Sequence, residues 1–328
     1  MRTPMPIEWV TPRPAPALDP QIIECMRRMG AAAANAPRRH TISIEEGRRN
    51  AEVLRAPWAE GGPAMARTVE RQVPTRHGEV RIRIYYPAQR TLPGAMVYAH
   101  GGGFVMFSLD THDRVMREYA ERAGIVVIGI DYTLAPEAHF PQPLDECVDL
   151  MHWLADHAAS LDIDPTQLFI GGDSAGANLS VGTCLTLRDE GARLPRGMLL
   201  NYGVYTTELL SESALRYGAG EYGLSLHMRA WFQGLYLRDA KDFTDPRMAS
   251  LHAQLEGLPP AFFVITECDP LQDDSVQMAE KLAAAGVEVQ STLYHGTIHG
   301  FLESVSVADV AGRAFDDSAE WLQRLARR

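Results

Sequence analysis

From about residue 79 to the C-terminus the sequence predicts an α/β fold, a mostly parallel sheet wound on both sides by helices. Two observations carry this. Short runs that are apolar throughout match strands covered on both faces, and the longer stretches between them repeat apolar residues every three to four positions, as helices with one buried stripe do. Strict alternation of the two types builds a doubly wound sheet rather than a sandwich or a bundle.

The elements follow in order. Asp19 is placed to cap a helix with Pro20 at its first position and Gly30 past its end, and Ser43 with Glu46 forms a capping box for a second helix. Neither helix belongs to the alternating region, so residues 1 to 60 are assigned to a helical cap. The sheet is expected to start at Glu79–Pro87, where Val80, Ile82 and Ile84 alternate with Arg81 and Arg83. Further strands are placed at 95–98, 125–130, 168–170, 198–200 and 261–265, with a last one at 287–293. Helices are placed at 111–123, stopping at Gly124, at 143–159, at 274–285 before Gly286, and at 307–325. One insertion, 206–241, breaks the alternation; it carries Tyr217, Tyr222, Trp231, Phe232 and Tyr236, and Ser225 is a suitable N-cap within it. It is assigned as the second cap piece. The chain is taken as one domain over 1–328, with a core of about 61–205 and 242–328.

Composition narrows the function. A formal net charge of −11 and an isoelectric point near 5.5 argue against nucleic acid and anionic membranes as partners. No apolar run is long enough to span a bilayer, and the proline-rich first twenty residues lack the pattern of a secretory signal. A cytoplasmic protein is expected. Cys25, Cys147, Cys184 and Cys268 show neither paired spacing nor metal-ligand spacing, so they are expected to be reduced, with no disulfide and no metal.

The chemistry is concentrated in a few motifs. Gly172-Asp173-Ser174-Ala175-Gly176 follows the apolar run 167–170 and opens onto a helical stretch, the order of strand, sharp turn and helix that a nucleophile elbow needs. A serine hydroxyl is a weak nucleophile until a neutral imidazole accepts its proton and a carboxylate orients that imidazole. His299, in the loop Gly296–Phe301 after the last strand, is the candidate base, in preference to His295 at that strand's end. Asp269, after the strand 261–266, is the candidate orienting acid; Asp273 and Asp274 are given the ordinary role of acids in a first helical turn. The chain order Ser174, Asp269, His299 is that of an α/β-hydrolase and differs from two protease orders of the same chemistry. Upstream, His100-Gly101-Gly102-Gly103-Phe104 follows a strand. The amides of Gly102 and Gly103, with that of Ala175, are assigned to an oxyanion hole, and His100 is read as a hydrogen bonder that holds the loop. Phe104, Tyr205, Trp231 and Phe301 are expected to line the substrate pocket.

Together with Asp131-Tyr132-Thr133-Leu134-Ala135-Pro136-Glu137, Asp269-Pro270-Leu271 and His299-Gly300-Phe301, these motifs resemble bacterial hormone-sensitive-lipase-type esterases over residues 79 to 302. The resemblance implies an α/β-hydrolase fold with an eight-stranded sheet and a helical cap. It implies a carboxylesterase of short to medium acyl esters, with Ser174, Asp269 and His299 as its triad and no cofactor, and a possible homodimer through the last strand. Three positions depart from the pattern. Thr133 stands where Arg is common, Asn201-Tyr202-Gly203-Val204-Tyr205 replaces an aliphatic-Tyr-Pro stretch, and Asp274 stands for a frequent Glu. The same triad would also serve an amidase, lactonase or acyltransferase. A non-catalytic receptor on this scaffold is disfavoured by the complete set of reactive residues.

Overall fold

The computed structural model describes residues 16–34, 36–37 and 41–328. Residues 1–15, the start of the expected N-terminal cap piece, lie outside the described residues. Eight strands form one sheet in the order β1-β2-β4-β3-β5-β6-β7-β8. They are β1 (Arg67–Thr75), β2 (Gly78–Tyr86), β3 (Ala95–Ala99), β4 (Val126–Asp131), β5 (Leu168–Asp173), β6 (Met198–Asn201), β7 (Ala261–Cys268) and β8 (Val289–Ile298). β2 runs antiparallel to both β1 and β4, and every pairing from β4 through β3 to β8 is parallel.

The sheet therefore begins one strand earlier than the sequence suggested. β1 was missed because it is an exposed edge strand: only Val73 is buried along it, so it lacks the apolar run that marks the inner strands. Charge takes the place of apolar patterning there, with Glu70 on β1 receiving Arg83 of β2 at 2.6 Å.

Ten helices cover the described residues: α1 (Pro20–Ala33), α2 (Ile44–Ala59), α3 (Asp113–Ala123), α4 (Gln142–His157), α5 (Ala175–Asp189), α6 (Glu212–Tyr217), α7 (Leu226–Tyr236), α8 (Ala240–Thr244), α9 (Gln272–Ala284) and α10 (Asp309–Ala326). Side chains alternate across each strand, so every central strand feeds two cores. Val97, Ile128, Ile170, Leu200 and Phe263 pack with α4, α5 and α9 on one face. Met96, Val127, Phe169, Leu199 and Phe262 pack with α1, α3 and α10 on the other.

The expected caps form at Asp19, Ser43 and Ser225, each side chain accepting a backbone N–H of the first turn. Gly30 does not end α1. The helix continues through it to Ala33, because the alanines that follow are strong helix formers and nothing lies within 4 Å of the glycine. Among the described residues no helix is long and apolar enough to cross a membrane.

Trp321 of α10 is 2% exposed and rests on Phe262 of β7, with ring centroids 5.8 Å apart. Trp321→Ala is expected to cost about 3–5 kcal/mol, as loss of a large core aromatic does. Guanidinium unfolding measures it, and a loss below about 1 kcal/mol would contradict the packing described.

Candidate active site

β5 hands over to α5 through Ser174, whose backbone lies at φ 54°, ψ −114°. Such a conformation costs a residue with a side chain about 1–3 kcal/mol, so the surroundings must impose it. Two contacts do. The Ser174 N–H donates to the Asn201 carbonyl at 2.9 Å, carrying the β5–β6 ladder past the last paired residue. A Cβ on either Gly172 or Gly176 would overlap the carbonyl of Ala99, so only glycines let the start of α5 close down on the end of β3. Ala175 opens α5, and an N–H at that position has no acceptor within the helix.

Asp269 follows the end of β7 and is fully buried. Its Oδ1 accepts the Leu271 N–H at 2.8 Å, which fixes the carboxylate, and its Oδ2 lies 2.8 Å from Nδ1 of His299. The other ring nitrogen, Nε2, lies 3.0 Å from the Ser174 hydroxyl. A carboxylate can only accept, so Nδ1 carries the proton and Nε2 is left to accept from Ser174. The ring of Tyr202 meets that of His299 edge-on at 5.1 Å and limits its rotation. His295 instead pairs with Glu267 at 2.9 Å and is exposed. Asp273 and Asp274 do more than complement a helix dipole. The Asp273 carboxylate accepts the Ser213 N–H of α6, and that of Asp274 accepts the N–H groups of Tyr205 and Thr206, so both tie the 206–241 insertion to α9.

The glycine loop after β3 rests on Asp173. That carboxylate accepts the Gly101 N–H and the Tyr98 hydroxyl, each at 3.0 Å, and lies 3.4 Å from Nε2 of His112. Burial alone would raise it, but His112 and the Tyr98 hydrogen bond outweigh burial and hold it below the usual carboxylate range. His100 stacks on Tyr132 at 4.5 Å, and its Nδ1 donates to the Gly101 carbonyl at 2.7 Å. Burial, reinforced by neighbouring His112, pushes the His100 imidazole well below the ordinary histidine value. Gly103 sits at φ 62°, and a Cβ there would enter the ring of Phe232, so the loop and the insertion touch through a glycine.

A cavity of about 200 Å³ opens over Ser174, His299, Gly102 and Gly103. Phe104 and Phe301 line it, as expected from the sequence. Tyr205 and Trp231 do not. Tyr205 is turned into the core against Phe263, and Trp231 packs beside Phe232, which takes the wall position one residue along α7. Other parts of the wall were not legible beforehand, among them Ile22, Cys25 and Met29 from α1, and an ion pair between Arg55 of α2 and buried Glu303. Glu303 follows His299 by four residues, so that pair fastens α2 to the turn carrying the imidazole. Only the clustering of an acid close behind His299 hinted at it.

A parallel sheet whose strand end passes into a helix through a serine at positive φ, with an imidazole and a buried carboxylate from later strand ends in line with it, defines the α/β-hydrolase class. The comparisons agree. Residues 96–303 match the family described as alpha/beta hydrolase fold, and the chain belongs to that family, within its hormone-sensitive-lipase-like branch. Among solved structures it is similar to an alpha/beta hydrolase enzyme from the metagenome of Lake Arreo, Spain, at 32% identity and TM-score 0.88, covering 94% of this chain and 98% of that one. It is similar to a hyperthermophilic esterase from the archaeon Pyrobaculum calidifontis at 30% identity and TM-score 0.86, covering 94% and 99% of the two chains. A thermostable carboxylesterase cloned from a metagenomic library matches at 32% identity and TM-score 0.84, over 87% of this chain and 98% of that one.

The depressed His100 imidazole has a consequence for stability. The unfolded chain takes up a proton near the ordinary value of 6.5, while the native site resists it, so stability falls as pH drops below 6.5. His100→Asn keeps a donor for the Gly101 carbonyl but does not titrate. Urea unfolding at pH 7.5 and 5 should show a smaller loss for the variant than for the wild type; equal losses would contradict the buried neutral imidazole.

Proposed function

We propose that this chain is a serine carboxylesterase working through an acyl-enzyme. The carrying observation is the continuous relay at the floor of the cavity, 3.0 Å from Ser174 Oγ to His299 Nε2 and 2.8 Å from His299 Nδ1 to Asp269. In the first half-reaction the Ser174 oxygen attacks the ester carbonyl and His299 takes its proton. Asp269 holds the resulting imidazolium, and the N–H groups of Gly102, Gly103 and Ala175 receive the oxyanion. His299 then returns the proton to the leaving alcohol. In the second half water repeats the sequence on the acyl-serine and releases the acid.

The relatives named esterase and carboxylesterase, at 30% and 32% identity, support this reading of the chemistry. A cavity near 200 Å³ supports short acyl groups over long ones. α1 and α2 of the 1–60 segment serve as the cap together with α7 of the 206–241 insertion, because these helices supply wall residues that the sheet does not. β8 ends the sheet with Leu293 exposed, which supports a homodimer formed through that strand. The four cysteines are free and buried, which supports a reducing, cytoplasmic setting.

Ser174→Ala is expected to remain folded, to lose about 10⁶-fold in kcat on p-nitrophenyl butyrate and to escape labelling by a fluorophosphonate. Undiminished turnover in that variant would remove Ser174 as the nucleophile. Asp269→Asn should bind its substrate normally but lose about 10⁴-fold in kcat, since the amide reverses the tautomer of His299. Steady-state kinetics separates the two parameters, and a change confined to KM would argue against the orienting role.

A further inference from the structure

The cavity over Ser174 is apolar over most of its wall, yet α7 contributes Arg229 to its lining. Arg229, Phe232 and Gln233 share one face of that helix, at positions i, i+3 and i+4, and all three line the cavity. Arg229 is 4% exposed. One of its nitrogens, Nη2, donates to the Glu208 carbonyl at 3.1 Å and stands 3.9 Å from Asp274, beyond hydrogen-bonding range. Nε and Nη1 have no hydrogen-bond partner among the described residues.

Buried charged donors without acceptors are costly, and a guanidinium cannot escape the cost by losing its proton. The acids around it are engaged elsewhere. Glu303 is paired with Arg55, Asp173 holds the glycine loop and His112, and Asp274 accepts two backbone amides. Asp274 balances the charge from 3.9 Å, but the oxygen nearest Arg229 already accepts two backbone amides, so it leaves the remaining guanidinium donors unfilled. Nη2 bears two N–H groups and gives one to Glu208. Whichever edge of the guanidinium that bond uses, the other edge keeps two parallel donors, one on Nη2 and one on Nε or Nη1. A carboxylate fits such a fork.

We propose that the preferred substrates of this site are esters that carry a free carboxylate away from the scissile bond, such as half esters of short dicarboxylic acids, with Arg229 receiving that carboxylate. This rests on the reading of Ser174 as nucleophile. The apolar wall then holds the methylenes between the two ends, and Arg229 sets both the charge and the length of the acyl chain.

The test compares mono-p-nitrophenyl esters of succinate, glutarate and adipate with the same compounds capped as methyl esters. For at least one length, wild-type kcat/KM should favour the free acid over its capped partner by about tenfold to a hundredfold, the range of a charge-assisted hydrogen bond. In Arg229→Gln that ratio should collapse to about one, and in Arg229→Lys, which keeps the charge without the fork, it should be intermediate. No preference at any length in the wild type overturns the proposal. So does a ratio preserved in Arg229→Gln, because a residue that merely tied α7 to the Glu208 segment would lower both substrates together. Should Arg229→Gln fail to fold, competitive inhibition of the wild type by glutarate dianion, against none by its dimethyl ester, provides the same readout, and equal inhibition by both contradicts it. Failure of the underlying reading is distinct: Ser174→Ala would then still turn over the capped esters.

Discussion

The contact between the start of α5 and the end of β3 decides where the chemistry can occur. With no Cβ at Gly172 or Gly176, the helix approaches the Ala99 carbonyl closely enough to force Ser174 into its strained turn. Parallel register does the rest. β5, β6, β7 and β8 point their C-terminal ends the same way, so residues just beyond those ends share one rim, even Ser174 and His299, 125 positions apart in the chain. His299 reaches Ser174 because β8 pairs with β7 up to Ile298, one residue before it.

Beneath that rim lies a second layer of polar groups, which the proposed catalytic steps do not touch. Asp173, His112, His100 and Tyr132 hold Gly101 and its neighbours from below, and all are buried. Backbone amides stabilise a developing charge only if they are already in position, because reorganising them would consume the gain. A rigid polar base under a glycine-rich loop meets that requirement: the glycines keep the approach clear while their neighbours supply the stiffness.

The parts of this arrangement visible in the sequence were those whose chemistry is local. The elbow, the glycine loop, the chain order of serine, acid and base, and the inner strands each leave a contiguous signature, and the structure brings Ser174, Asp269 and His299 together. What could not be read depended on long-range packing. β1 is stabilised by its neighbour's arginines rather than by apolar residues, and α1 runs through Gly30 because no tertiary contact stops it there. On α7 the aromatic choice fell on Trp231, while the helix is rotated so that Arg229, Phe232 and Gln233 face inward. Tyr205 turned away because Asp274 fixes its backbone amide where the chain leaves β6. Helical spacing names which residues share a face, not which face a neighbour selects.

Arg55 and Glu303 join two parts of the molecule that serve different purposes. One end is α2, which brings Arg55 to the cavity wall, and the other is the short turn behind His299. The cavity wall and the histidine turn are therefore mechanically linked: exchanging the segment that carries α2 would also exchange the partner of Glu303. A replacement N-terminal segment would therefore have to bring a cation to Glu303, which would otherwise be left buried and unpaired.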